Sequence, residues 1–172
     1  MRTSQKGIDL IKHYEGLHDG DLSNVGLQPK QCPAGIWTCG YGHAMIYKGQ
    51  FLKGEENKDL AYSINTITTI EGAEALLTED LYLYERKING LGLTSKQNEF
   101  SALVSFAYNL GFTNLVNSTL LRRIEMGTTP QLITDAFLMW VKCGGKVLNG
   151  LVYRRKSEAH LYNTGELRFY ND

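Results

Sequence analysis

The sequence predicts an α+β fold: a small N-terminal lobe with an irregular β-sheet, joined by a helix to a larger helical lobe. Three observations carry that expectation. A short amphipathic stretch opens the chain, a segment punctuated by Gly, Asn and Pro follows, and apolar residues recur at helical spacing from about residue 71 onward. At 172 residues the chain reads as a single domain, with lobes of about 1–70 and 71–172 around a cleft.

Residues from about Ser4 to Tyr14 form the first expected helix, because Ile8, Ile11 and the following Glu15 fall on one helical face. Gly16 is its expected stop. From Leu17 to about Gln50 no helical period survives. The run from Ile36 to Tyr41 is rich in β formers and places Trp37, Cys39 and Tyr41 on one side and Thr38 on the other. Residues 51–69 are weakly patterned, and the stretch Thr66 to Ile70 reads equally as a strand or as the lead-in to a helix over about 71–88. Phe100, Leu103, Val104, Ala107 and Leu110 then repeat at helical spacing. With Ala102 and Phe106 they make that helix apolar nearly all round, the pattern of a buried central helix. Ser118–Met126, Pro130–Lys142 and Leu151–Tyr162 complete the helical lobe, with Gly111, Gly127 and Gly144-Gly145 at its joints.

Eighteen Lys and Arg residues balance eighteen Asp and Glu. That neutrality argues against a nucleic-acid-binding surface, which needs a basic face to displace counterions. Three cysteines, Cys32, Cys39 and Cys143, show no CxxC spacing, and the four histidines are scattered, so neither a zinc motif nor a disulfide framework is expected. Three free thiols fit a reducing compartment. No apolar stretch approaches the ~20 residues that span a bilayer, and the charged, amphipathic N-terminus does not read as a signal peptide or membrane anchor.

Glu15 is the candidate that carries chemistry. A carboxylic acid can protonate a leaving oxygen near neutral pH only where its surroundings penalise the anion. Glu15 lies on the apolar side of its helix and in the last turn, where the unpaired carbonyls add partial negative charge, and both features act in that direction.

The residues around Glu15, Tyr14-Glu15-Gly16-Leu17, taken with Cys32 to His43 (CPAGIWTCGYGH), resemble the signature of glycoside hydrolase family 24, the phage-type lysozymes. That signature is a glutamate followed by Gly, then an Asp or Cys with five residues between it and a Thr, then a T-x-G-[YIW]-G-H segment that this Thr opens. The resemblance extends to the central helix from Gln97 to Gly111, to Ser118-Thr-Leu-Leu-Arg-Arg, and to the closing segment from Trp140 to Glu158, so four blocks occur in register.

The resemblance implies a lysozyme-like fold and an endolysin that hydrolyses the β-1,4 bond between N-acetylmuramic acid and N-acetylglucosamine of bacterial peptidoglycan by inversion, with no metal or cofactor. It places Glu15 as the acid, Thr38 at the attacking water, and Cys32 where many members carry a second carboxylate. Gly42, His43, Tyr108, Asn109 and Ser118 are implied to line the saccharide site. A monomer is expected, accumulating in the host cytoplasm and reaching the wall through holin-type membrane lesions.

One departure bears on the mechanism. Sixteen residues, 16–31, separate Glu15 from Cys32, about twice the family's usual spacing. Lengthening a loop costs little, yet it leaves Cys32, Asp19 and Asp21 as alternatives for the second catalytic position. An ordinary thiol is mostly neutral at pH 7, so Cys32 is expected to shape the water site more than to act as a base, and both Asp residues also suit solvated turns. A lytic transglycosylase, which needs an acid but no attacking water, is the rival enzyme. A catalytically inactive wall-binding module is the rival of another class. Trp37 and Trp140 read as core anchors. Arg154 and Glu158 read as a helix-surface pair, and Arg154-Arg155-Lys156 as a solvated basic face.

Overall fold

The computed structural model describes residues 1–171. In chain order the elements are α1 (Gln5–Glu15), β1 (Lys30–Gln31), β2 (Trp37–Cys39), β3 (His43–Ala44), β4 (Ile46–Tyr47), β5 (Gln50–Phe51), α2 (Lys58–Ile64), α3 (Ile70–Leu91), α4 (Gln97–Leu110), α5 (Phe112–Val116), α6 (Thr119–Glu125), α7 (Pro130–Leu138), β6 (Lys142–Cys143), β7 (Lys146–Val147) and α8 (Asn149–Thr164). The chain divides into two compact units, one of Met1–Tyr14 with Leu81 onward, the other of Glu15–Asp80.

The unit of residues 15–80 holds a three-stranded antiparallel sheet in the order β1-β2-β3, with Lys30 opposite Thr38 and Thr38 opposite Ala44. Trp37, Cys39, Met45, Leu52 and Ala61 form its core, with Leu60, Tyr62 and Leu76 packed against them. The buried indole of Trp37 donates its N–H to the Gly54 carbonyl at 2.8 Å, which satisfies the ring's one polar atom. Trp37 is therefore a core anchor. Residues 51–69, which carry no clear period, contain α2, a short helix that buries only Ala61. Residues 66–69 are irregular, so the strand alternative fails there and α3 begins at Ile70.

The long segment ahead of β1 closes on itself. Gly20 donates to the Gln28 carbonyl, and Leu27 to the Thr68 carbonyl. Asp19 accepts the backbone N–H of Asp21 and of Gln28, both at 3.3 Å. Asp21 accepts from the backbone and hydroxyl of Ser23 and from the Asn24 amide. The segment is a compact loop with short ends, built from side-chain-to-backbone turns.

The other unit is mostly helical. Residues 100–107 of α4 are all buried, as its nearly uniform apolar surface predicts, and α4 packs against α8, which also receives α7. Ser4 caps α1 by accepting the Gly7 N–H. Thr3 and Arg2 both bind the Glu85 carboxylate, which anchors the N-terminal residues on α3. Burial works against the Glu85 anion, but the N–H and O–H donors from Thr3 and Arg2 outweigh it and hold the carboxyl below the usual range.

Two sequence expectations need correction here. The helix begun at Pro130 stops at Leu138, and Lys142–Val147 forms a hairpin whose tip, Gly144-Gly145, has φ of 57° and 79°. Two consecutive left-handed residues make a type I′ turn, which glycine accepts without strain. The second correction is larger. Arg154 and Glu158 are 3% and 0% exposed, and Arg155 is 0% exposed. Only Lys156 of that basic cluster is exposed. Glu158 Oε1 accepts from the Ser105 hydroxyl at 2.7 Å and faces Arg154 Nε at 3.2 Å, while Oε2 faces Arg155 Nε at 3.2 Å. A polar α4–α8 seam lies inside the helical unit where a solvated face was expected.

Candidate active site

Glu15 is the last residue of α1 and the first of the 15–80 unit, and it is half-buried. Its carboxylate lies against the backbone of Gly42. A Cβ on Gly42 would stand 2.9 Å from Glu15 Oε2 and 3.4 Å from Cδ, and Gly42 has φ of +87°. The glycine is needed twice over, for its left-handed conformation and for the space the carboxylate fills.

Thr38 is the middle residue of β2, the central strand of the sheet, and is 5% exposed. Its hydroxyl donates to the Lys30 carbonyl at 2.7 Å and lies 2.6 Å from His18 Nδ1. His18 reaches this position because the chain beyond Glu15 pairs with the sheet, its N–H donating to the Gly40 carbonyl at 2.9 Å. Burial pushes the His18 imidazole below its ordinary value, against the pull of the neighbouring Glu15 charge and with the help of Lys30. The 15–80 unit therefore brings Glu15, His18 and Thr38 together.

Cys32 opens the β-turn after β1. Its N–H donates to the Ile36 carbonyl and its carbonyl accepts from Gly35. Strand alternation from the Lys30–Thr38 pairing puts Lys30, Cys32 and Thr38 on one face of the hairpin. Cys32 is half-buried and unoxidised, as are the buried Cys39 and exposed Cys143. Burial pushes the Cys39 thiol up to about 11, which keeps it an inert core group. Asp19 accepts its turn bonds through Oδ1, and Asp21 accepts through both oxygens; the Ser23 hydroxyl and N–H hold the Asp21 carboxyl below the usual carboxylate range.

His43, at the start of β3, lies 2.9 Å through Nδ1 from Asp80 Oδ2. The hydrogen bond to Asp80 raises its pKa, against the cost of burial. In the helical unit, the Tyr108 ring meets Tyr84 edge-on at 5.6 Å, and Asn109 Oδ1 accepts from Arg155 at 2.7 Å. Ser118 caps α6, its buried hydroxyl accepting from Leu121 and donating to Leu115. Trp140 packs edge-on against Phe106. Among the described residues no three His, Cys, Asp or Glu side chains are grouped to hold a metal ion.

Sequence reasoning missed two residues of this neighbourhood. His18 follows Glu15 by three positions, a spacing that returns a side chain towards the helix end, but of the four histidines only His43 was singled out beyond metal ligation. Asp80 is 37 positions from His43, and nothing local announces their pairing.

The phage lysozyme family profile matches residues 20–158. The endolysin of Bacillus phage B103 is 36% identical over 96% of this chain and 56% of its own length. Among solved structures, the endolysin of Escherichia coli O157:H7 phage FAHEc1 is 31% identical with a TM-score of 0.71, covering 98% of this chain and 97% of that one. The muramidase domain of SpmX from Asticaccaulis excentricus is 32% identical with a TM-score of 0.69, covering 95% and 98%. The fold is lysozyme-like, α+β. The chain belongs to the phage lysozyme family. It spans 56% of the length of the Bacillus phage relatives it matches.

Proposed function

We infer that this chain is an endolysin of the muramidase type, hydrolysing the β-1,4 bond between N-acetylmuramic acid and N-acetylglucosamine in bacterial peptidoglycan. The observation that carries the reading is the Glu15 carboxylate fitted against the side-chain-free backbone of Gly42, beside the Thr38 hydroxyl network. Glu15 donates its proton to the departing sugar oxygen while water attacks the anomeric carbon. Thr38 holds the water site in place, and Cys32, on the same hairpin face, shapes it. Inversion follows if that water attacks directly from the face opposite the leaving group.

In the 15–80 unit Gly42 offers the glycan a close backbone approach, and on the family resemblance Tyr108 and Asn109 of the helical unit offer an aromatic face and an amide. His43, held by Asp80, and Ser118, the α6 cap, are the further saccharide-binding residues that the family resemblance implies. The chain acts as a monomer, needs no metal or cofactor, and reaches the wall from the cytoplasm through a holin-type lesion. No helix among the described residues is long and apolar enough to cross a membrane.

Turbidity clearing of permeabilised cells tests the reading. Glu15→Gln should reduce clearing by at least about 10²-fold, the usual contribution of a general acid, with an unchanged melting temperature. The absence of a carboxylate at position 32 favours one second reading, lytic transglycosylation. Mass spectrometry separates the two: hydrolysis leaves reducing muramic ends, transglycosylation 1,6-anhydro ends.

A further inference from the structure

Asn109 lies in the last turn of α4, half-buried, and follows the buried Ser105 by one turn on the same helical face. Its Oδ1 accepts from Arg155 Nη2 of α8 at 2.7 Å. A guanidinium donates and never accepts, so the oxygen is the end of the amide that faces it. The Nδ2 end is therefore turned away from the cation. Among the described residues it meets no acceptor, and it is not sealed from solvent. Turning the amide over would set its N–H donors against those of the guanidinium.

Arg155 has little freedom of its own. It is fully buried, its Nε lies 3.2 Å from Glu158 Oε2, and its guanidinium sits over the Phe106 ring at 5.0 Å. Glu158 is fixed in turn by the Ser105 hydroxyl. An apolar pair of similar volume would often serve stability as well. Only a donor held in place, however, fixes the orientation of a half-buried amide.

We propose that Arg155 is a positioning residue, locking the Asn109 amide so that its Nδ2–H donates to an acetamido carbonyl of the bound glycan. The proposal rests on the muramidase reading, which places Asn109 at the saccharide. A sugar hydroxyl both donates and accepts, so either end of an amide would satisfy it. A locked donor discriminates only for groups that accept alone. The acetamido carbonyls are such groups, and every residue of this glycan carries one. No bond forms or breaks at Asn109 or Arg155, so their contribution is to substrate binding and belongs in KM.

The test measures kcat and KM on soluble, uncrosslinked glycan strands at matched folded concentration. Asn109→Asp keeps an oxygen for Arg155 and replaces the outward donor with an acceptor. The proposal expects it to raise KM at least about tenfold, the weight of one well-placed hydrogen bond, with kcat within about threefold of wild type. Its melting temperature should equal or exceed that of wild type, because a carboxylate now faces the buried cation. Arg155→Lys should raise KM by about threefold or more, since an ammonium lacks the planar fork, and by nothing further in Asn109→Ala. A merely structural Arg155 would cost the same in both backgrounds. Asn114→Asp, which adds the same charge at an exposed position of α5, should leave KM within about twofold. Unchanged KM in Asn109→Asp, a loss in kcat alone, or an equal rise in Asn114→Asp overturns the proposal. So does a melting temperature of Asn109→Asp well below wild type, or an Arg155→Lys effect that persists in Asn109→Ala. If those results come while Glu15→Gln is inactive, only the amide assignment falls. If Glu15→Gln cleaves the strands at the wild-type rate, the muramidase reading falls with it.

Discussion

Glu15 and Gly42 share one space: the carboxylate of the first occupies the volume that a side chain on the second would need. Gly42→Ala therefore has two separable effects. Forcing a Cβ into φ of +87° costs about 1–2 kcal/mol of stability. The carboxylate, as the end of a flexible side chain, moves aside cheaply, so the displacement registers in catalysis. Wall-degrading turnover should fall tenfold or more beyond what the melting shift explains, since small misplacements of a reacting group cost rate steeply. Unchanged turnover would mean that the carboxylate works from elsewhere.

The His43–Asp80 pair makes stability depend on pH in a defined direction. The folded pKa of His43 is raised above the unfolded 6.5, so the pair's contribution is fully present below about 6.5 and fades as pH rises through the folded value. Asp80→Asn should lower the melting temperature most in mildly acidic buffer, with the gap to wild type shrinking in mildly alkaline buffer. The opposite trend would refute the pairing. Glu79 adds a weaker pull of the same sign.

Glu158 sits with Arg154 and Arg155 inside the α4–α8 seam, where removing one partner strands buried charge. Glu158→Ala should cost about 3–5 kcal/mol in chemical denaturation. The Lys96–Glu99 pair, whose lysine is 71% exposed, gives the contrast. Lys96→Ala should cost no more than about 1 kcal/mol.

Gly7 reverses a familiar rule. Glycine to alanine inside a helix ordinarily gains about 1 kcal/mol. Here the new Cβ would fall 2.8 Å from Ser101 Cβ and 2.7 Å from Thr3 Cγ2. Overpacking of that kind costs about 1–3 kcal/mol, so Gly7→Ala should be neutral or destabilising, as a melting curve would show.

What could be read from the sequence follows the range of the physics. Glu15 was legible because a helical period, a glycine stop and a recognisable motif all meet at one residue. The buried α4 was legible because its apolar residues encircle the helix. The Thr38–His18 bond was hidden because it depends on how a long atypical loop returns the chain to Gly40. The Arg154–Glu158 pair was read with the right spacing and the wrong environment. Helical spacing says that two side chains meet, and the seam is polar on both helices, with Ser105 and Asn109 answering Glu158 and Arg155. The short α2 escaped because a helix that buries a single alanine leaves no periodic trace.

The most direct test is the release of new reducing ends from purified peptidoglycan, followed by mass spectrometry, for wild type and Glu15→Gln at matched folded concentration. Proton donation by Glu15 predicts reducing muramic ends from wild type and a rate at least about 10²-fold lower from the variant. Reducing ends released by Glu15→Gln at the wild-type rate would contradict it.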